Sequence, residues 1–262
     1  IVGWQDLIQS IETYDGNDSV FTSLVLEFEG KRPDDILFKI SYEKGYTFLC
    51  YLEKTVGREK WLKFVPHSAA VDSIQFKDCV VDFFSRDAAA TLALSRFDWQ
   101  SWLHKPGAPP KPKFSSELYN KALKTADRWR SLSNDSLFKP SSDDVKGWTA
   151  GQVLVFLDLL IESPQPVPMR YCKLFGDLYD VGKSGNLEVV TRYLRVALRA
   201  GDRGVLKQTE EVLGQTGRMK FVRPLFKELL SVDEGLALEL FEKYQDFYHP
   251  TCLRLIRNLL DE

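Results

Sequence analysis

Residues 187–202 read LEVVTRYLRVALRAGD. Leu187, Val190, Leu194, Ala197 and Leu198 recur at the three- and four-residue spacing of one helix face, and Gly201-Asp202 supplies a turn signal. The same pattern continues downstream. Residues 205–213 open another helix, and Gly214 and Gly217 bracket a break. Phe221, Leu225 and Leu229 repeat at four, as do Leu236, Leu240 and Tyr244, and His249-Pro250 starts a last helix. Upstream, residues 142–161 read as mainly helical and stop near Pro164, Pro166 and Pro168, while residues 118–132 form a helix ended by a polar turn at Asn134-Asp135. Helices of roughly 10–15 residues joined by short turns form antiparallel hairpins, and stacked hairpins give a right-handed α-superhelix of the armadillo or HEAT kind. No strict period is visible, so the expectation is a degenerate array.

Before this array the composition changes. Residues 105–113 read KPGAPPKPK. Proline fixes φ and removes backbone donors, so this stretch is an extended linker. Residues 1–104 also read as mostly helical, with candidates at 2–11, 46–52, 72–84 and 88–97, a polar turn at 15–18, and a β-compatible or extended stretch at 21–28. The fold class is therefore all-α, in three parts: 1–104, a linker at 105–115, and a helical array over 116–262.

Bulk properties narrow the function. Lys and Arg number 35 against 37 Asp and Glu, a net charge of −2 that gives no reason to expect nucleic acid or an anionic membrane as partner. The longest apolar run, 153–161, is interrupted by Asp158 and far shorter than the roughly 20 residues of a membrane span. Cys50, Cys79, Cys172 and Cys252 share no CxxC spacing. They read as reduced thiols of a cytosolic protein, with Cys50 and Cys79 as small core residues. The chain starts Ile-Val-Gly-Trp without Met, which points to a fragment.

Only His67, His104 and His249 could offer imidazole, and no HExxH occurs. A zinc peptidase needs two helical histidines one turn apart and a third ligand, so no metal site is expected in this chain alone. No GxSxG elbow and no GK[ST]-terminated phosphate loop is read from it. Two segments stand out. At Ser41-Tyr42-Glu43-Lys44-Gly45, Tyr42 is either a core tyrosine with one hydrogen bond or a phenol aimed at a developing oxyanion. At 217–226, GRMKFVRPLF, Pro224 fits the first turn of a helix that begins near residues 220–223. Arg218, Lys220 and Arg223 then add positive charge to a positive helix end, which suits a bound carboxylate. Alternatively they cap the preceding helix or pair with acids elsewhere.

These two blocks carry a family resemblance. GRMKFVRPLF resembles the carboxylate-binding stretch of leukotriene A4 hydrolases, and YEKG at 42–45 resembles the tyrosine segment of the wider gluzincin aminopeptidases. Gly3-Trp4, Phe21-Thr22, Pro33-Asp34 and Trp99 through the proline-rich linker follow in the expected order. The resemblance covers nearly the whole chain. It implies the C-terminal part of a thermolysin-like catalytic domain, followed by the helical domain, of a zinc aminopeptidase. Some members also hydrolyse the epoxide of leukotriene A4. By position, Tyr42 matches the phenol that stabilises the tetrahedral intermediate, Arg218 with Lys220 the clamp on the substrate carboxylate, and Asp34 the acid that directs water in the epoxide reaction. The implied substrate is a peptide or lipid with a free carboxylate. Zinc and its ligands fall in the N-terminal half of the same enzyme. Two departures are visible: Leu37 stands where animal leukotriene hydrolases have a second tyrosine, and the segment 67–71 is about five residues short. The alternative is a catalytically silent helical-repeat module that binds a peptide or partner protein.

Overall fold

The computed structural model describes residues 2–13, 19–26, 39–65, 71–112, 116–132 and 137–261. The described residues are mostly helical and contain no strand. The chain divides into two compact units, one of Gly3–Lys113 and the other chiefly of Phe114–Glu262.

The first unit holds α1 (Val2–Thr13), α2 (Lys39–Val56), α3 (Arg58–Phe64), α4 (Ser73–Phe83), α5 (Ala88–Ser95) and α6 (Trp99–His104). Its core is aromatic. Phe48 of α2 lies 5.9 Å from Trp99 and 5.8 Å from Trp102, ring centre to ring centre, with Leu52, Val56, Trp61, Phe64, Val80 and Leu94 packed around them. The helix starts follow local chemistry. Asp72 accepts from the backbone of Ile74 and Gln75, and Gln75 reaches back to the Asp72 amide, forming a capping box. Asp87 and Asp98 cap α5 and α6.

The second unit holds α7 (Glu117–Arg130), α8 (Ala150–Glu162), α9 (Cys172–Tyr179), α10 (Leu187–Arg199), α11 (Leu206–Gln215), α12 (Met219–Leu230), α13 (Glu234–Tyr244) and α14 (Pro250–Asp261). α8 packs on α7 and α10, α10 on α12, and α12 on α14, while α11 packs on α13. α10 is buried nearly all round, because it is central, and its ends are set by the Asn186 cap and by Gly201 at φ 77°, a conformation that favours glycine.

Polar links between alternate helices disclose a structural repeat. Arg192 reaches Asp158 across 34 residues and Arg199 reaches the Ser163 carbonyl across 36. Lys220 reaches Glu188 across 32, and Arg195 reaches Glu228 across 33. Lys243–Glu210 and Tyr248–Leu213 span 33 and 35. Partner numbers rise together, so α8, α10 and α12 run parallel, as stacked helical hairpins require. The repeat is thus about 34 residues in space, although residue identities do not repeat along the sequence.

Several expectations change. Val20–Thr22 is a 3-10 turn and residues 23–25 are bends, not an extended strand. The backbone and hydroxyls there bond to α6, the linker and Lys44 instead of to a ladder. The segment 46–52 belongs to a longer, half-buried helix in which Tyr46 and Leu49 are exposed. Cys79 is exposed and Cys50 only half-buried, because the inward face of α4 runs through Val80. Residues 142–161 begin with a 3-10 turn at Ser142–Val145, and α8 starts only at Ala150 behind the Thr149 cap. Gly214 lies inside α11 and does not bound it. A Cβ there would come 2.9 Å from the Tyr244 ring, so glycine permits that close approach. α9 was not foreseen, although Tyr171, Phe175 and Leu178 carry its spacing. The turns at 15–18 and 134–135 and the segment 66–70 lie outside the described residues.

Candidate functional site

On α2, two stripes divide the work. Ile40, Lys44, Phe48, Leu52 and Val56 recur at four and are all buried. Tyr42, Tyr46 and Leu49 lie on the other side, and Tyr42 is 76% exposed. Among the described residues the Tyr42 hydroxyl has no hydrogen-bond partner, so Tyr42 is not the hydrogen-bonded core tyrosine of the first alternative.

The sequence reading passed over Lys44. Its side chain is only 2% exposed. The ammonium donates to the carbonyl oxygens of Thr22 at 2.9 Å, Lys105 at 2.8 Å and Gly107 at 2.9 Å. Among the described residues no carboxylate pairs with it. Burial pushes its pKa down to about 8, and the three carbonyl dipoles oppose that shift by favouring the charged form. A second layer locks the same knot: the Gly107 amide donates to Thr22 Oγ1 at 2.6 Å, and the Ser23 hydroxyl to the His104 carbonyl at 2.9 Å. The visible signal was a lysine at a core position of a four-residue stripe.

In the second unit, Arg218 and Lys220 sit at the start of α12. Arg218 is the N-cap residue with φ −71° and ψ 112°, and no side chain caps this helix start. The Arg218 side chain is exposed and has no carboxylate partner among the described residues. α12 begins at Met219, so Lys220 is already helical. The extended geometry that would send two side chains two residues apart to one side does not hold here. Pro224 is the sixth residue of the helix, not part of its first turn. It lacks the N–H that would bond the Lys220 carbonyl.

Lys220 instead enters an ion network. Its ammonium pairs with Glu188, whose other oxygen accepts from Arg192 at 2.7 Å. Arg192 Nε donates to Asp158 at 2.6 Å, and Arg195 donates to Glu228 at 3.3 Å. Burial pushes Asp158 up to about 6 against the pull of Arg192, and Asp158 Oδ2 is buried without a donor among the described residues. Burial is also the largest influence on Glu188 and acts to raise it. The hydrogen bonds and charges of Lys220 and Arg192 together outweigh it and hold Glu188 below the usual carboxylate range. Pairing with acids thus describes Lys220. Arg223 Nε is buried without a partner among the described residues.

Asp34 and Leu37 lie outside the described residues, as does His67. Among the described residues no three His, Cys, Asp or Glu side chains converge to hold a metal, so these residues do not fit a zinc site. His249 Nδ1 accepts from the Thr251 amide at 3.3 Å, as a helix-start residue does. No described helix is long and apolar enough to cross a membrane. The second unit also has an open cavity of about 390 Å³ floored by Trp148, Val153, Val181 and Val189.

Comparison with known proteins places the chain. Residues 148–260 match the family "Leukotriene A4 hydrolase, C-terminal". Leucine aminopeptidase 2 of Aspergillus niger is 42% identical over 262 residues, covering 98% of this chain and 42% of that protein. Leucine aminopeptidase 2 of Ajellomyces capsulatus is 43% identical over 263 residues with the same coverage. A solved yeast LTA4 hydrolase in complex with bestatin superposes with a TM-score of 0.81 at 30% identity, covering 100% of this chain and 45% of that chain. A native leukotriene A4 hydrolase from Saccharomyces cerevisiae gives 0.75. The chain spans less than half the length of these relatives, and its residues 148–260 are similar to the C-terminal domain of the leukotriene A4 hydrolases.

Proposed function

We propose that this chain is the C-terminal portion of a cytoplasmic zinc aminopeptidase. Its first unit is the end of the catalytic domain, and its second is an armadillo-like helical domain. The observation that carries this reading is Tyr42: a phenol whose hydroxyl has no partner among the described residues, exposed on a helix whose opposite side is anchored in an aromatic core. Tyr42 donates a hydrogen bond to the oxyanion that develops when an amide carbonyl is attacked. The exposed apolar side chains of Tyr46 and Leu49 on the same side of α2 are the contact for the N-terminal half of the enzyme. Arg218, at an uncapped helix start, binds the free carboxylate of a peptide or lipid substrate, with Lys220 adding charge.

When bound, zinc supplies a polarised water for hydrolysis, and its ligands lie in that N-terminal half. Asp34 is the acid that directs water in a second, epoxide-opening reaction. The alternative of a silent peptide-binding module draws on the Trp148 cavity. The two are separated by assaying the full-length protein on an aminoacyl-amide substrate, with and without a chelator. We expect zinc-dependent turnover there and none from residues 1–262 alone. No turnover by the zinc-loaded full-length protein, or turnover by the isolated chain, contradicts the reading.

A further inference from the structure

We infer that Lys44 is the positioning residue of Tyr42: its buried ammonium ties α2 to the segment before it and to the start of the linker, and it does so by charge and hydrogen-bond geometry, not by bulk. This rests on the role proposed for Tyr42.

The stoichiometry of the knot is the basis. An ammonium has three N–H donors and no acceptor. Lys44 faces three carbonyl oxygens, all at 2.8–2.9 Å. Every donor is used, and among the described residues no carboxylate shares the site. A buried cation without an anion is costly unless every proton is bonded, so the three carbonyls must be held where they are. The Thr22 hydroxyl does this by accepting from the Gly107 amide, and the Ser23 hydroxyl does it by bonding the His104 carbonyl. Gly107 adopts φ 83°, which turns the linker at the cage.

Two of the three acceptors belong to residues 105–107, and the third to the 3-10 turn Val20–Thr22. Lys44 is two residues from Tyr42, on the opposite side of the same helix. A rigid helix transmits rotation and translation from one side to the other. The aromatic core fixes α2 further along, through Phe48 and Leu52. At the end that carries Tyr42, the cage is a buried polar tether beside the buried Ile40 side chain. Removing it loosens that end of α2 while the core holds the rest, and a displacement of about 1 Å at a reacting group can cost about 100-fold in rate.

The test uses the full-length protein and two substitutions. Lys44→Met keeps nearly the length of the side chain and removes the ammonium. Lys44→Ala removes a fragment the size of propylammonium, which can be added back. We expect either change to lower kcat at least tenfold with KM within about twofold, since only the placement of a group acting on the transition state is lost. Propylammonium should restore kcat of Lys44→Ala, and 1-propanol, of the same size and uncharged, should not. Hydrogen exchange at residues 39–44 should rise in Lys44→Ala and fall back with propylammonium. If the variants fail to fold, the wild-type protein decides: the Lys44 ammonium protons should give a slowly exchanging NMR signal at neutral pH, and rapid exchange overturns the cage.

Unchanged kcat in Lys44→Met, or equal rescue by propanol, overturns the proposal. If Tyr42→Phe lowers kcat while both Lys44 changes do not, only the Lys44 proposal fails. If Tyr42→Phe itself leaves kcat unchanged, the Tyr42 reading fails first and the positioning role falls with it.

Discussion

Tyr42 and Lys44 are neighbours in one four-residue motif and play opposite structural parts: one is exposed and has no hydrogen-bond partner among the described residues, the other is buried and saturated. Chemistry drew the sequence reading to the phenol, since phenols serve as oxyanion donors, and a lysine is by default a surface residue. What makes Lys44 a core residue is contact with residues 22, 105 and 107, and no local pattern brings those together. Loss of one oxyanion donor typically costs about 10²–10³ in kcat. Tyr42→Phe in the full-length enzyme should therefore lower kcat by about that factor and leave KM nearly unchanged, as steady-state kinetics on an aminoacyl-amide will show. An unchanged kcat returns Tyr42 to a passive surface position.

At the level of elements, periodicity located α7, α10, α12, α13 and α14, because each shows an apolar face. It failed where tertiary contacts set the outcome. Pro224 reads as a first-turn residue, yet α12 begins five residues earlier, its apolar face through Phe221, Leu225 and Leu229 being fully buried. The 34-residue repeat was illegible for a related reason: it lives in the polar links between helices, whose residue types differ at each step. The α8–α10 seam carries a testable consequence. Asp158 has a folded-state value of about 6, above its ordinary 3.8. A carboxyl whose pKa is raised on folding binds its proton more tightly in the fold. Its contribution to stability is therefore present below about 4 and lost as pH rises through about 6. Asp158→Asn has no such titration. Whatever constant cost the substitution brings at Arg192, the stability difference between variant and wild type should move in favour of the variant from pH 4 to pH 7, as urea unfolding at several pH values will measure. A difference that stays flat, or moves the other way, means that Arg192 holds the carboxylate ionised throughout.

For the whole molecule, the proline-rich stretch was the clearest boundary signal in the sequence, but its first residues are not free. The carbonyls of Lys105 and Gly107 are bound by Lys44, and Gly107 and Pro109 are buried. Lys105 and Lys111 precede prolines, which block trypsin. Brief tryptic digestion should therefore cut after Lys113 and release a fragment starting at Phe114. First cleavage inside residues 20–107 contradicts the anchored exit. Among the described residues no candidate ligand set for zinc comes together. Arg218, Lys220 and Arg223 were legible as a cluster of cations, but not the commitment of Lys220 to Glu188. The central claim is that this chain supplies substrate recognition to a longer peptidase, and it is tested most directly by the kcat/KM of Arg218→Ala in the full-length enzyme. The substrates are one peptide as its free acid and the same peptide amidated. Loss of a charged hydrogen-bond partner costs about 1.5–3 kcal/mol, or at least tenfold. Lys220→Ala should cost less, because its ammonium is already shared with Glu188. The account predicts that Arg218→Ala lowers kcat/KM for the free acid at least tenfold and leaves the amide nearly unchanged; equal losses for both would contradict it.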